Sequence, residues 1–174
     1  GSISLKSLEN CINSDLANNY GNLCQRVFSF VKNNCKNKVI KTKNITNSDN
    51  KLIEQTKHLT KELRNLMNNQ NLNDYIRSII QISFLTNKYI NDEEPWKLKK
   101  DNREKMNNIL HLSLVQIAKI SILLNPIIPN ATSKVLKSLK INKKLRNLFF
   151  LEGKNILPNK IVLSELNILF KKIS

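Results

Sequence analysis

Asp15, Asn18, Asn22, Arg26 and Ser29 recur at steps of three and four, the spacing that stacks side chains along one face of an α-helix. A separate apolar line, including Leu5, Leu8, Ile12, Leu16, Tyr20, Leu23, Val27 and Val31, lies roughly 120° away from Asn22 at about 100° per residue. The polar stripe therefore faces outward. Solvated helix faces commonly carry Lys and Glu in salt-bridging order. This one carries short amides, one acid and one of only five arginines in the chain. An amide both donates and accepts, and a guanidinium presents a rigid fork of donors, so the set suits the edge of a nucleobase. An ordinary solvated face is the plain alternative.

Trp96 is the only tryptophan, and it follows Pro95 rather than falling on an apolar stripe. An indole held open by a short rigid loop is a platform for an unpaired base, worth about 1–3 kcal/mol per base stacked. The competing reading is a cap over one end of the core. Lys97, Lys99, Lys100 and Arg103 crowd beside it. They can hold backbone phosphates, which adds affinity without sequence preference, or form a solvated face.

These groups need a scaffold, and the composition says which kind. A chain of 174 residues with 40% hydrophobic content is long enough for one substantial core, so a single domain over 1–174 is expected. With only three glycines and four prolines, it lacks the punctuation that many strands and hairpins require. Lysine and arginine number 29 against 13 acids, a net charge of +16 and a pI near 9.9. That excess favours a polyanionic partner, although Lys, Asn and Ile abound together, as AT-rich coding sequence also produces. No apolar run approaches the roughly 20 residues that span a bilayer, and no secretory segment is visible, so a cytoplasmic protein away from membranes is expected. Cys11, Cys24 and Cys35 are odd in number and lack paired spacing, which predicts free thiols and no metal site. Gly1-Ser2 without an initiating methionine reads as a cloning scar on a piece of a longer protein.

The periodicity predicts a first helix from Ser4 or Leu5 to Asn33, with Gly21 inside it excused by close approach of a neighbour. A mobile polar connection follows over Asn34 to Ser48. A second helix, capped by Ser48 or Asp49, carries Leu52, Thr56, Leu59, Leu63, Leu66 and Met67. A third, capped by Asn73 or Asp74, has apolar residues on several faces and should be the most buried; Pro95 ends it. Asp101 has capping-box spacing to Glu104 for a fourth helix, which Pro126 ends. Asn130 caps a short fifth. Beyond Lys140 the pattern blurs: Leu145 to Leu151 can add a turn or two of helix, while Lys160 to Leu163 and Ile168 to Phe170 are short enough to be extended. The fold class is all-α, an up-and-down bundle of four main helices with a short fifth and an irregular C-terminal tail.

Asp15-Leu16-Ala17-Asn18-Asn19-Tyr20-Gly21-Asn22-Leu23-Cys24-Gln25-Arg26 resembles the opening helix of the anticodon-binding domain of the methionyl-tRNA synthetase family, which reads Asp-Leu-Ala-Asn, two residues, Gly-Asn-Leu, two residues and Arg. Asn87-Lys88-Tyr89-Ile90-Asn91-Asp92-Glu93-Glu94-Pro95-Trp96 resembles the same family's Asn-Lys-Tyr-Ile, acidic linker and Pro-Trp. Asn125-Pro126-Ile127-Ile128-Pro129 fits its later pattern. The resemblance implies that Trp96 stacks on the first anticodon base, a cytosine, and that Asn22 and Arg26 hydrogen-bond the anticodon bases. Asp15 and Asn18 lie on the same stripe and would support that pair. Tyr89 is expected in the core, and Asn87 in a hydrogen bond between helices or to a loop.

The implied partners are tRNA(Met), through its CAU anticodon loop, and a catalytic domain of the same chain. No Gly-rich phosphate loop and no His-Ile-Gly-His or Lys-Met-Ser-Lys-Ser type signature is present. The resemblance thus assigns ATP and magnesium to a catalytic domain outside this sequence, leaving this piece without cofactor and inactive alone. Two other readings compete: the corresponding domain of another class I synthetase, and a basic helical scaffold for a protein partner.

Overall fold

The computed structural model of the protein describes residues 18–146 and 156–165. Five α-helices run through them: α1 (Gly21–Cys35), α2 (Asn47–Asn68), α3 (Leu72–Glu93), α4 (Arg103–Leu124) and α5 (Pro129–Ser138). Two three-residue strands, β1 (Lys38–Ile40) and β2 (Lys160–Val162), pair antiparallel with Val39 opposite Ile161. Helices α2 and α3 form an antiparallel hairpin, α4 packs on α3, and α1 lies against α3 and α4. The expected all-α bundle is the observed one.

The most buried helix is α4, not α3 as the sequence suggested: 15 of its 22 residues are buried, against 9 of 22 in α3. Every neighbour explains this, since α1, β1, α3, α5 and the turn after α3 all pack on α4. The apolar residues of α3 that pointed several ways include Phe84, which is exposed. By length and composition α4 could cross a bilayer, a departure from the expectation that no stretch qualified, but that apolar surface is mostly enclosed by the bundle.

The boundaries follow local capping chemistry. Residues 18–20 make a π-helical turn leading into α1, and α1 runs two residues past Asn33, to Cys35. Gly21 is buried, and Asn87 Nδ2 of α3 reaches the Asn19 carbonyl beside it at 3.4 Å, the helix-to-helix bond expected of Asn87. The connection expected to be mobile is tied down: Val39 is buried in the small sheet, and the Thr42 amide donates to Asn108 Oδ1 at 2.8 Å. Thr46, rather than Ser48 or Asp49, caps α2, because its hydroxyl accepts from the Asp49 amide while Asp49 Oδ2 accepts from the Thr46 amide, a reciprocal box. Helix α3 starts after Asn71, before the expected Asn73 or Asp74. Asn102, not Asp101, caps α4 by accepting from the Lys105 amide at 3.1 Å. Pro129 opens α5 at the first helical position, where its missing N–H costs nothing, so Asn130 lies inside the helix and does not cap it. Lys160–Val162 is extended as expected. Residues 143–145 form a single 3₁₀ turn, and the other expectations for 147–151 and 168–170 lie outside the described residues.

Buried polar side chains join these elements. Tyr89 is in the core as expected, and its hydroxyl donates to Asp49 Oδ1 at 2.6 Å, joining the end of α3 to the start of α2. His111 Nε2 donates to the Pro158 carbonyl at 2.8 Å, holding the segment before β2. Tyr89→Phe should destabilise the fold by about 1–2 kcal/mol, since a buried carboxylate oxygen loses its donor; urea denaturation checks it. Burial pushes the His111 pKa below its ordinary value. The unfolded chain therefore takes up the proton first as the pH falls. Stability should be complete above about pH 6.5 and decline below it, and His111→Gln should flatten that decline in denaturation curves collected across pH.

Candidate nucleic-acid interface

The core side of α1 is Leu23, Cys24, Val27, Phe28 and Val31, all buried. That anchoring turns Asn18, Asn22 and Ser29 to solvent and leaves Arg26 half-buried. Asn22 Nδ2 donates to the Asn18 carbonyl at 2.7 Å. The bond fixes the amide, whose oxygen and second N–H remain for other partners. Asn18 thus supports Asn22 through its backbone.

Arg26 is held on two sides. Its Nη2 donates to Asn91 Oδ1 at 2.7 Å, and its guanidinium carbon stands 5.3 Å from the centroid of the Trp96 ring, within cation–π range. Partial burial lowers its pKa, but an arginine stays charged throughout the physiological range. The pair joins residues 70 positions apart in sequence.

Trp96 owes its position to the way α3 stops. Glu94 takes the left-handed conformation, φ 50° and ψ 59°, while its amide still donates to the Ile90 carbonyl at 3.0 Å. Pro95 is buried and starts a 3₁₀ turn, Pro95–Lys97. That turn leads through Leu98 into the Asn102 cap of α4, with the Asn102 amide on the Leu98 carbonyl at 3.0 Å. Such a chain reversal, bonded at each step, keeps the indole from folding into the core. Trp96 remains 40% exposed, so it does not seal the bundle.

The nearby cations have differing ties. Lys97 pairs with Glu94 at 2.7 Å. Lys99 sits 5.5 Å from the Phe30 ring centroid. Arg103 Nη2 donates to the Asn34 carbonyl at 2.9 Å, satisfying one of the orphan carbonyls at the end of α1. Lys100 is exposed. Arg26 and Trp96 are therefore brought into contact, with Asn22 one turn away on the same helix; Asp15 lies outside the described residues. Sequence reasoning missed Asn91. It lies inside the Asn87–Trp96 segment, one turn past Asn87, but nothing in sequence shows that an exposed amide in the last turn of one helix meets an arginine on another.

An all-helical bundle with a hydrogen-bonding and aromatic cluster at one end has the build of an anticodon-binding domain. Residues 39–174 match the family described as the anticodon binding domain of methionyl tRNA ligase, and the chain belongs to that family. The matched span begins after α1, so Asn22 and Arg26 lie before it. Relatives reach further: the methionine–tRNA ligase of Rickettsia conorii is 32% identical over 172 residues, 93% of this chain and 34% of its own length. That of Brucella suis is 30% identical over 141 residues, 81% of this chain and 27% of its own. The crystal structure of apo Mycobacterium tuberculosis methionyl-tRNA synthetase superposes with a TM-score of 0.85 at 25% identity, covering 100% of this chain and 36% of that one. The relatives are ligases, and this chain spans about a quarter to a third of their length.

Because the indole is partly open, Trp96→Ala should cost less than about 2 kcal/mol of stability, below the 3–5 kcal/mol typical of a fully buried tryptophan. Chemical denaturation followed by circular dichroism measures it.

Proposed function

We propose that this domain reads the CAU anticodon loop of tRNA(Met) at Asn22, Arg26 and Trp96, and so positions the tRNA for attachment of methionine by a catalytic domain of the same polypeptide. The observation that carries this is the contact between the Arg26 guanidinium and the part-exposed Trp96 ring. It sets a planar donor beside a stacking surface, which is what an unpaired base needs to be both held and identified. Asn22 offers an acceptor and Arg26 donors, so together they match the amino group and the acceptor atoms of cytosine. Asn91 is a positioning residue that fixes the guanidinium. Lys99 and Lys100 contact phosphates on either side of the stacked base, and Lys97 and Arg103 join them only by giving up present partners. The ATP and magnesium chemistry belongs to the catalytic domain, so the domain is silent alone and works in the cytoplasm.

A CAU stem-loop should bind and quench Trp96 fluorescence, and replacing its cytosine should weaken binding by about 1–3 kcal/mol. Trp96→Ala and Arg26→Ala should each cost about 1–3 kcal/mol with the cognate loop, and Asn91→Ala about 1 kcal/mol. Equal binding of all loop sequences in fluorescence titrations would leave only charge attraction.

A further inference from the structure

The charge of this chain is unevenly spread. Between Glu104 and Glu152 the sequence contains no carboxylate, yet residues 129–146 alone carry six basic side chains. A coding bias that enriches lysine does nothing to remove acids from so long a stretch. A second acid-free stretch lies between Asp15 and Asp49, where Lys32 pairs with Glu165 across the fold; other cations are interleaved with acids one turn away: Lys57 with Glu54, Arg77 with Asp74, and Lys88 with Asp92. On α5 and the turn after it they are not. Lys134 and Lys137 stand three residues apart and share a helix face, and Lys140 and Lys143 follow at the same interval. All four are exposed, and among the described residues none has an ion-pair partner.

The local structure presents these cations firmly. The Ile141 amide donates to the Leu136 carbonyl at 3.0 Å and the Lys140 amide to the Lys137 carbonyl at 3.0 Å, a Schellman closure that puts Lys140 in the left-handed position glycine usually takes. Lys140 has φ 60°. Ile141 is buried, and Arg146 wraps back so that Nε and Nη2 both donate to its carbonyl, at 3.2 and 3.1 Å. The turn is anchored by apolar burial and a guanidinium clamp, while its lysines stay outside. Like charges one turn apart repel each other, and a polyanion laid across them removes that repulsion.

We propose that α5 and the turn following it form a second RNA contact, which takes the sugar–phosphate backbone of the tRNA and adds affinity without reading bases. The inference rests on the anticodon-reading role proposed above. Its place in the fold is distinct. Trp96 lies by the start of α4, whereas α5 follows its end and packs back along it, with the Ser138 carbonyl accepting from the Ser164 amide at 3.0 Å.

The test uses a variant with Lys134, Lys137, Lys140 and Lys143 all changed to Gln, and a control with Lys43, Lys51, Lys57 and Lys61 changed to Gln, which alters net charge equally. Binding of a complete CAU-bearing tRNA is titrated across potassium chloride concentrations. CAU and altered stem-loops measure discrimination. The stripe variant should bind the tRNA about tenfold or more weakly at low salt, and its slope of log affinity against log salt should be shallower by about 3, from four lost contacts at roughly 0.7–0.9 each. It should keep the unaltered preference for CAU. An unchanged affinity and slope, or an equal loss in the control, overturns the inference; the first leaves the stripe to an acidic protein face and the second to net charge. If the unaltered protein binds all loops alike, the reading at Trp96 fails instead, and the salt slopes still decide this contact.

Discussion

Helix α4 is packed by α1, β1, α3 and α5, and the buried polar groups along it need partners, because an unpaired one costs about 1–3 kcal/mol. Ser113 donates to the Ile109 carbonyl within the helix and Gln116 Oε1 is buried without a partner among the described residues, but four side chains reach other elements. Asn108 bonds Thr42 in the connection after β1, at 2.8 Å from the Thr42 amide. His111 holds the Pro158 carbonyl. Gln116 Nε2 donates to Thr56 Oγ1 of α2 at 2.6 Å and to Thr86 Oγ1 of α3 at 3.3 Å. Ser121 meets the Tyr20 hydroxyl just ahead of α1. Hydrophobic burial alone would tolerate these elements sliding or rotating about α4. The polar contacts fix their depth and rotation, and through them the relative placing of Arg26 and Trp96.

Much of this was legible in the chain. The apolar line through Leu23, Val27 and Val31 defined the outward face of α1, on which Asn22 is exposed and Arg26 half-buried. Pro95 marked where α3 stops. What escaped were features decided between elements rather than within them. Helix α4 scores as an ordinary long helix until its neighbours are known, because Asn108, His111 and Gln116 look like surface residues in sequence and are buried only because partners exist. The cap positions were missed by one to three residues for a related reason. Several of Asp, Asn, Ser and Thr stand close together at the starts of α2, α3 and α4, and which one caps depends on how the preceding chain arrives. The strand at Lys38–Ile40 could not be seen locally, since its partner lies more than 100 residues away.

The candidate site shows the same division. Residue types were readable, while the hydrogen bond from Arg26 to Asn91 required the packing of α1 on α3. That bond also changes how the arginine acts. A free guanidinium on a solvated face samples many rotamers, and ordering it on binding costs free energy. One already held by an amide and an indole has given up that freedom during folding.

The cluster at this end of the bundle is assembled from three separate places: the arginine from α1, the amide from the last turn of α3, and the indole from the reversal after it. None of these pieces contains a working receptor by itself. Fraying of α1 from its neighbours would disperse the cluster while the α2–α3 hairpin and α4 stayed folded. Occupancy by a ligand would in turn clamp α1 in place, making recognition and the docking of this first helix a single linked equilibrium.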